Sequence, residues 1–69
     1  MITILACIVN YDPEEGLEYQ TFSVSVAEDI DDLEPIYCVD CGEDYMEALK
    51  HAEEIDKKYK TEDIIEINV

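Results

Sequence analysis

The alternation of apolar and polar positions divides the chain into strands, one long helix and the turns between them. Residues 2–11 form an apolar run rich in β-branched side chains. On a strand, Ile2, Ile4, Ala6 and Ile8 point one way and Leu5, Cys7, Val9 and Tyr11 the other. Apolar residues on both sides predict a central strand with both faces at least partly covered. Asp12-Pro13-Glu14-Glu15-Gly16 interrupts the run with turn chemistry, Pro fixing φ and Gly admitting positive φ. Residues 17–27 then return as the second strand of a hairpin, with Phe22, Val24 and Val26 inward and Thr21, Ser23 and Ser25 outward. Leu17 and Tyr19 are out of phase with that alternation. Either a bulge near Gln20 or a hairpin end that leaves the sheet accounts for them.

In the acidic stretch from Glu28 to Pro35, Ile30 and Leu33 are spaced for one helical turn that Pro35 ends. Residues 36–39 read as a short edge strand or an extended approach to the helix. The helix is predicted over residues 43–59, because Tyr45, Ala48, Leu49, Ala52, Ile55 and Tyr59 recur at spacings of three and four and so share one stripe. Asp40 is the expected N-cap, with Glu43 at capping-box spacing. Glu43 and Asp44 in the first turn and Lys57, Lys58 and Lys60 in the last suit the macrodipole. Glu53 with Lys57 and Glu54 with Lys58 are i,i+4 pairs in the better orientation. Ile65, Ile67 and Val69 alternate with Glu66 and Asn68 in a closing strand.

These elements make one small α+β domain over residues 1–69, of ββαβ type. The sheet is expected to have three strands, or four with the edge strand, in an antiparallel or mixed arrangement of order 2-1-3. One amphipathic helix covers one face. Tracing the direction of each element places the last strand beside the first and antiparallel to it. The apolar residues left on the far face of the first strand then need a cover, and a second copy of the chain supplies one, so a homodimer is expected.

Composition narrows the class. Sixty-nine residues bury little surface, so stability is marginal without a disulfide, a metal or a partner subunit. A 48% apolar fraction argues against disorder. No window is apolar for long enough to cross a bilayer. The first nine residues lack a basic start and read as a strand rather than a signal peptide. With three cysteines, an odd number, a reduced cytoplasmic setting is expected.

Charge changes the picture most. The net charge is −15, and all four bases (Lys50, Lys57, Lys58 and Lys60) fall in the last twenty residues. Residues 1–49 hold thirteen acids and neither Lys nor Arg. The helix acids are explained by dipole and pairing. Asp12, Glu14, Glu15, Glu18, Glu28, Asp29, Asp31, Asp32 and Glu34 are not, since no base lies among them in sequence. Such a chain repels nucleic acid and anionic membranes, and its physical complement is a basic partner. Solubility alone asks for a net charge of roughly 2–8 in a small domain.

Candidate chemistry is sparse, and each case has a simpler explanation beside it. Cys38-Val39-Asp40-Cys41 is a single CxxC. A structural zinc needs four ligands, and His51 lies too far along the helix to join Cys41 on one ion. Cys7 reads equally well as a small buried apolar residue. A redox CxxC gains from a helix N-terminus, but Asp40, Glu43 and Asp44 oppose a thiolate there. His51 sits one turn after Glu47 on the flank of the stripe, as an i,i+4 partner. The Asp29, Asp31, Asp32 and Glu34 cluster lacks the spacing and central Gly of a calcium loop. No catalytic residue, metal site or cofactor is therefore assigned, and an enzyme is not expected.

In size, charge and residue usage the chain is similar in kind to the small acidic proteins with which phages block host nucleic-acid-binding enzymes, among them DNA-mimic inhibitors of restriction, uracil-DNA glycosylase and CRISPR effectors. The similarity is one of composition and carries no motif. The expectation is a non-enzymatic inhibitor, encoded by a phage or mobile element and acting in the host cytoplasm. It would use the nine carboxylates named above to imitate a row of phosphates and occlude a basic groove. The alternative is a homo-oligomeric structural or accessory protein that binds through an apolar sheet face, its acidity serving solubility.

Overall fold

A computed structural model describes residues 1–31 and 34–69. Five elements follow in order: β1 (Ile2–Asp12), β2 (Leu17–Ala27), β3 (Tyr37–Gly42), α1 (Tyr45–Tyr59) and β4 (Ile64–Asn68). The class is α+β, with a four-stranded mixed sheet and one helix. Asp32 and Leu33 lie outside the described residues, and with them the helical turn expected around Ile30.

The strand order is β3-β2-β1-β4, which replaces the expected 2-1-3. Residues 37–42 are a full strand, antiparallel to β2 along its outer side. That strand reverses the chain once more before the helix. As a result β4 runs parallel to β1 rather than antiparallel to it, with Thr3 opposite Ile64 and Cys7 opposite Asn68. β1 is a central strand, between β2 and β4, as its apolar pattern predicts.

β1 and β2 pair without interruption from Ile2 opposite Ala27 to Asp12 opposite Leu17. There is no bulge near Gln20; the irregularity lies instead in the β2–β3 pairing, between Phe22 and Ser23. Leu17 and Tyr19 are out of phase because the hairpin outruns the sheet. β3 reaches only Phe22, and β4 only Cys7. Beyond those points residues 8–21 pair with each other alone, as a two-stranded ribbon ending in the turn at Gly16, where φ is +68°.

The core lies between the sheet and α1. Leu5, Phe22, Val24 and Val26 from the strands meet Ala48, Ala52 and Ile55 from the helix, with Cys7, Val39, Leu49, Tyr59 and Ile64 at its margin. Two alanines in the helix stripe, both fully buried, let the helix backbone sit close to the strands. The N-cap is Asp44, whose carboxylate accepts from the backbone N–H of Met46 at 3.0 Å. Asp40, the expected cap, is still in β3 and accepts from Gly42 N–H at 3.2 Å. Gly42, at φ +75°, makes the turn between strand and helix. The helix ends at Lys60, a left-handed residue whose N–H reaches the Asp56 carbonyl. No helix among the described residues is long and apolar enough to cross a membrane.

Register fixes what each face of the sheet carries. Residues paired across strands share a face, so Thr3, Leu5 and Cys7 look toward α1 together with Ile64, Glu66 and Asn68. Ile65 and Ile67 therefore join Ile2, Ile4, Ala6 and Ile8 on the opposite face, which no described element covers. Ser23 and Ser25 border that apolar strip.

Candidate functional site

The nine carboxylates singled out from the sequence do not form one row. Asp12, Glu14, Glu15 and Glu18 occupy the ribbon tip, and Glu28, Asp29, Asp31 and Glu34 follow the other end of β2. Asp32 belongs to that second group in sequence and lies outside the described residues. Ten strand steps separate the groups, or about 33 Å at strand rise, in a molecule 41 Å long. That distance is several times the Debye length of about 8 Å at physiological salt, so each end presents its own field.

The helix decides which end carries the bases. Its first residue, Tyr45, packs edge-on against Phe22, with ring centroids 5.5 Å apart. Its last, Tyr59, lies 5.8 Å from Tyr37 at the start of β3. α1 thus runs from the ribbon toward the residue 28–36 loop. Lys57, Lys58 and Lys60 are carried to the loop end, beside the acids that have no base near them in sequence. Toward the ribbon end, Glu43 and Asp44 just before the helix join the four tip acids, whereas Glu66, opposite Leu5, lies seven strand steps from Asp12, or about 23 Å at strand rise. Asp56, Glu62 and Asp63 match those three lysines in number, so both ends stay acidic, and the ribbon end is the one whose acids have no Lys among them.

Two of the tip and loop acids also have local work. Asp12 closes the turn, its side chain accepting from Glu14 N–H at 3.0 Å and its carbonyl from Gly16 N–H at 2.8 Å. Asp29 accepts from Ile30 N–H at 2.6 Å. Glu14, Glu15, Glu18, Glu28 and Asp31 are exposed.

Between the first turn of α1 and the sheet, at the point where the ribbon leaves it, is a cleft of about 430 Å³. Leu5, Cys7 and Phe22 line its apolar part, Tyr45 stands at one side, and Gln20, Glu66 and Asn68 bring polar groups. Tyr45 donates its phenolic hydrogen to Glu66 Oε1. That bond, with some desolvation and the adjacent negative charge, raises the Tyr45 phenol above its ordinary value. A shallower hollow shares Gln20 and continues along Val9, Glu18, Tyr19 and Glu43. The pair of hollows is bordered by Glu66 at the first and by Glu18 and Glu43 at the second. The sequence signal for it was the same out-of-phase Tyr19 that marks the ribbon; Glu66 carried none, because its facing depends on the parallel pairing of β4.

The remaining candidates are dispersed. Cys38 pairs opposite Ser25 and leaves β3 on the open face, whereas Cys41 packs against the core margin. All three cysteines are free thiols. Burial, then the charge of Asp40, raises the Cys41 thiol, which makes it a poorer nucleophile at neutral pH. His51 is exposed on the outer side of α1 near Glu47, Lys50 and Glu54. No family model, curated protein or solved structure matches this chain.

Proposed function

We propose that this protein is a small non-enzymatic inhibitor that inserts its acidic ribbon end into the basic nucleic-acid-binding groove of another protein, in the manner of phage-encoded anti-restriction and anti-CRISPR nucleic-acid mimics. One observation carries the reading. Asp12, Glu14, Glu15 and Glu18 cap one end of a narrow molecule, 23 Å by 15 Å across, with Glu43 and Asp44 behind them and no Lys among them, while Lys57, Lys58 and Lys60 are held at the other end. A basic groove evolved to hold phosphates meets carboxylates with no competing cation among them. The exposed apolar side chains of the ribbon, Val9, Tyr11, Leu17 and Tyr19, supply contact area that charge alone lacks.

The test is competition. Candidate basic DNA- and RNA-binding proteins are loaded with labelled duplex, and the acidic protein is titrated in. Stoichiometric displacement is expected, weakening by more than about tenfold as salt rises from 50 to 200 mM. A variant with Glu14, Glu15, Glu18 and Glu43 all changed to Gln should lose displacement while keeping its circular dichroism spectrum. Displacement that survives both high salt and that variant would refute the mechanism.

A second reading has its own support in the open sheet face. Ile4 and Ala6 keep only 7% and 9% of their surface exposed, and Ile2, Ile8, Ile65 and Ile67 around them are half-buried, on a face that no helix or strand among the described residues covers. A homodimer through this face would suit a structural or accessory protein, with association nearly indifferent to salt. Sedimentation at micromolar concentration distinguishes it, and Ile65→Glu should then yield a monomer.

A further inference from the structure

We propose that the cleft between the sheet and the first turn of α1 is a seat for an arginine side chain of the basic partner, its guanidinium held by Glu66 and Tyr45. The inference rests on the reading of the partner as basic and says which group it brings to which atoms.

The cleft's dimensions and chemistry select this occupant. About 430 Å³ falls within the range of small-ligand pockets and admits a long side chain. The apolar part, Leu5, Cys7 and Phe22, suits a trimethylene stem, which arginine buries readily while keeping its head polar. Tyr45 offers a ring with Phe22 already packed edge-on against it, so its orientation is set before any ligand arrives. A guanidinium over such a ring gains a cation–π contact.

Glu66 supplies the charge. One of its oxygens takes the Tyr45 hydroxyl, and the other remains for a guanidinium N–H. Its partner within the chain is a neutral phenol rather than a base. Three of the four lysines are at the far end of α1, and Lys50 borders separate surface hollows on the helix with Glu47. Gln20 and Asn68 at the margin carry carboxamide oxygens for further donors. Anionic ligands are repelled by the same carboxylate. Lysine, a compact and strongly hydrated point charge with no planar face, would use the carboxylate but not the ring.

The experiment uses hexa-arginine and hexa-lysine peptides of equal charge, titrated into isotopically labelled protein at low salt and followed by NMR. Hexa-arginine is expected to move the Tyr45 and Phe22 ring signals and to bind several-fold tighter than hexa-lysine, which leaves those rings unmoved. Glu66→Gln should weaken hexa-arginine by about tenfold, whereas Glu62→Gln, an equal loss of charge on an exposed residue outside the cleft, should change it less than about twofold. Tyr45→Leu, which keeps an apolar side chain but removes the ring, should reproduce the loss with Glu66 intact. Equal binding of both peptides, with the two glutamine variants weakened alike, would overturn the arginine seat and leave the acidic-end mechanism standing. Failure of both peptides to bind at all would remove both.

Discussion

Glu66 and Tyr45 are twenty-one positions apart and meet across the cleft, and their bond makes a pH-sensitive prediction. The Tyr45 phenol is raised in the folded chain by its bond to Glu66, so folding favours its protonated form. The associated stability is fully present below the ordinary tyrosine value of about 10 and is lost as pH rises through the folded value. Spectrophotometric titration should resolve one of the five tyrosines ionising above the rest, and Glu66→Gln should bring it back among them. At the other end of the helix, the fully buried Thr3 hydroxyl bonds to Thr61 at 2.8 Å, and Thr61 donates onward to Asp56. Thr61 has one hydroxyl hydrogen, so Thr3 must be the donor between them. Thr61→Val would strand that buried donor, and chemical denaturation should show a loss of about 1–3 kcal/mol. Lys60 holds a left-handed conformation at φ 54° that suits Gly better. Lys60→Gly is expected to stabilise by up to about 1 kcal/mol after the added flexibility of the unfolded chain is set against the relieved strain. Little of this was legible beforehand. Two aspartates precede the helix at credible capping positions, and only the turn at Gly42 decides for Asp44 over Asp40.

Among the elements, the long strands were the most readable, because each runs for eleven residues and β2 alternates cleanly from Phe22 to Val26. Phe22, Val24 and Val26 are buried as the pattern required, and the helix stripe buries Ala48, Ala52 and Ile55. β4 was not readable in the same way. Five residues of alternation show that two faces differ without showing which one is covered, and the answer depends on its direction. That direction followed from β3, a six-residue segment too short to be told from an extended linker. The ribbon was visible as a broken phase, with two explanations for it, and the structure selects the second. An isolated two-stranded ribbon is only marginally stable. In hydrogen exchange, amides in the outer ribbon around Tyr11 and Tyr19 should exchange orders of magnitude faster than those of Leu5 and Val24 in the four-stranded part. Equal protection along both strands would contradict a free-standing ribbon.

At the scale of the molecule, the charge total was plain from the sequence and its distribution in space was not. The lysines are late in the chain, yet the helix returns three of them toward the acids that precede it, and the ribbon end is left with acids alone. Self-repulsion among the carboxylates opposes the compact state and is screened by salt. The midpoint of thermal unfolding should therefore rise, by about 5 °C for each kcal/mol relieved in a domain this small, as sodium chloride is raised from 20 to 500 mM. A midpoint that stays flat would mean the carboxylates are too far apart to matter. The parallel ladder of β1 and β4 has a kinetic corollary. It joins Thr3 to Ile64 across sixty-one positions, a loop whose closure entropy must be met before any of its contacts form. The hairpin can assemble locally and early, but β1 then waits with one bare edge until the helix has crossed. Refolding should be slow for so short a chain, and during that wait the bare edge is open to the closing strand of another molecule.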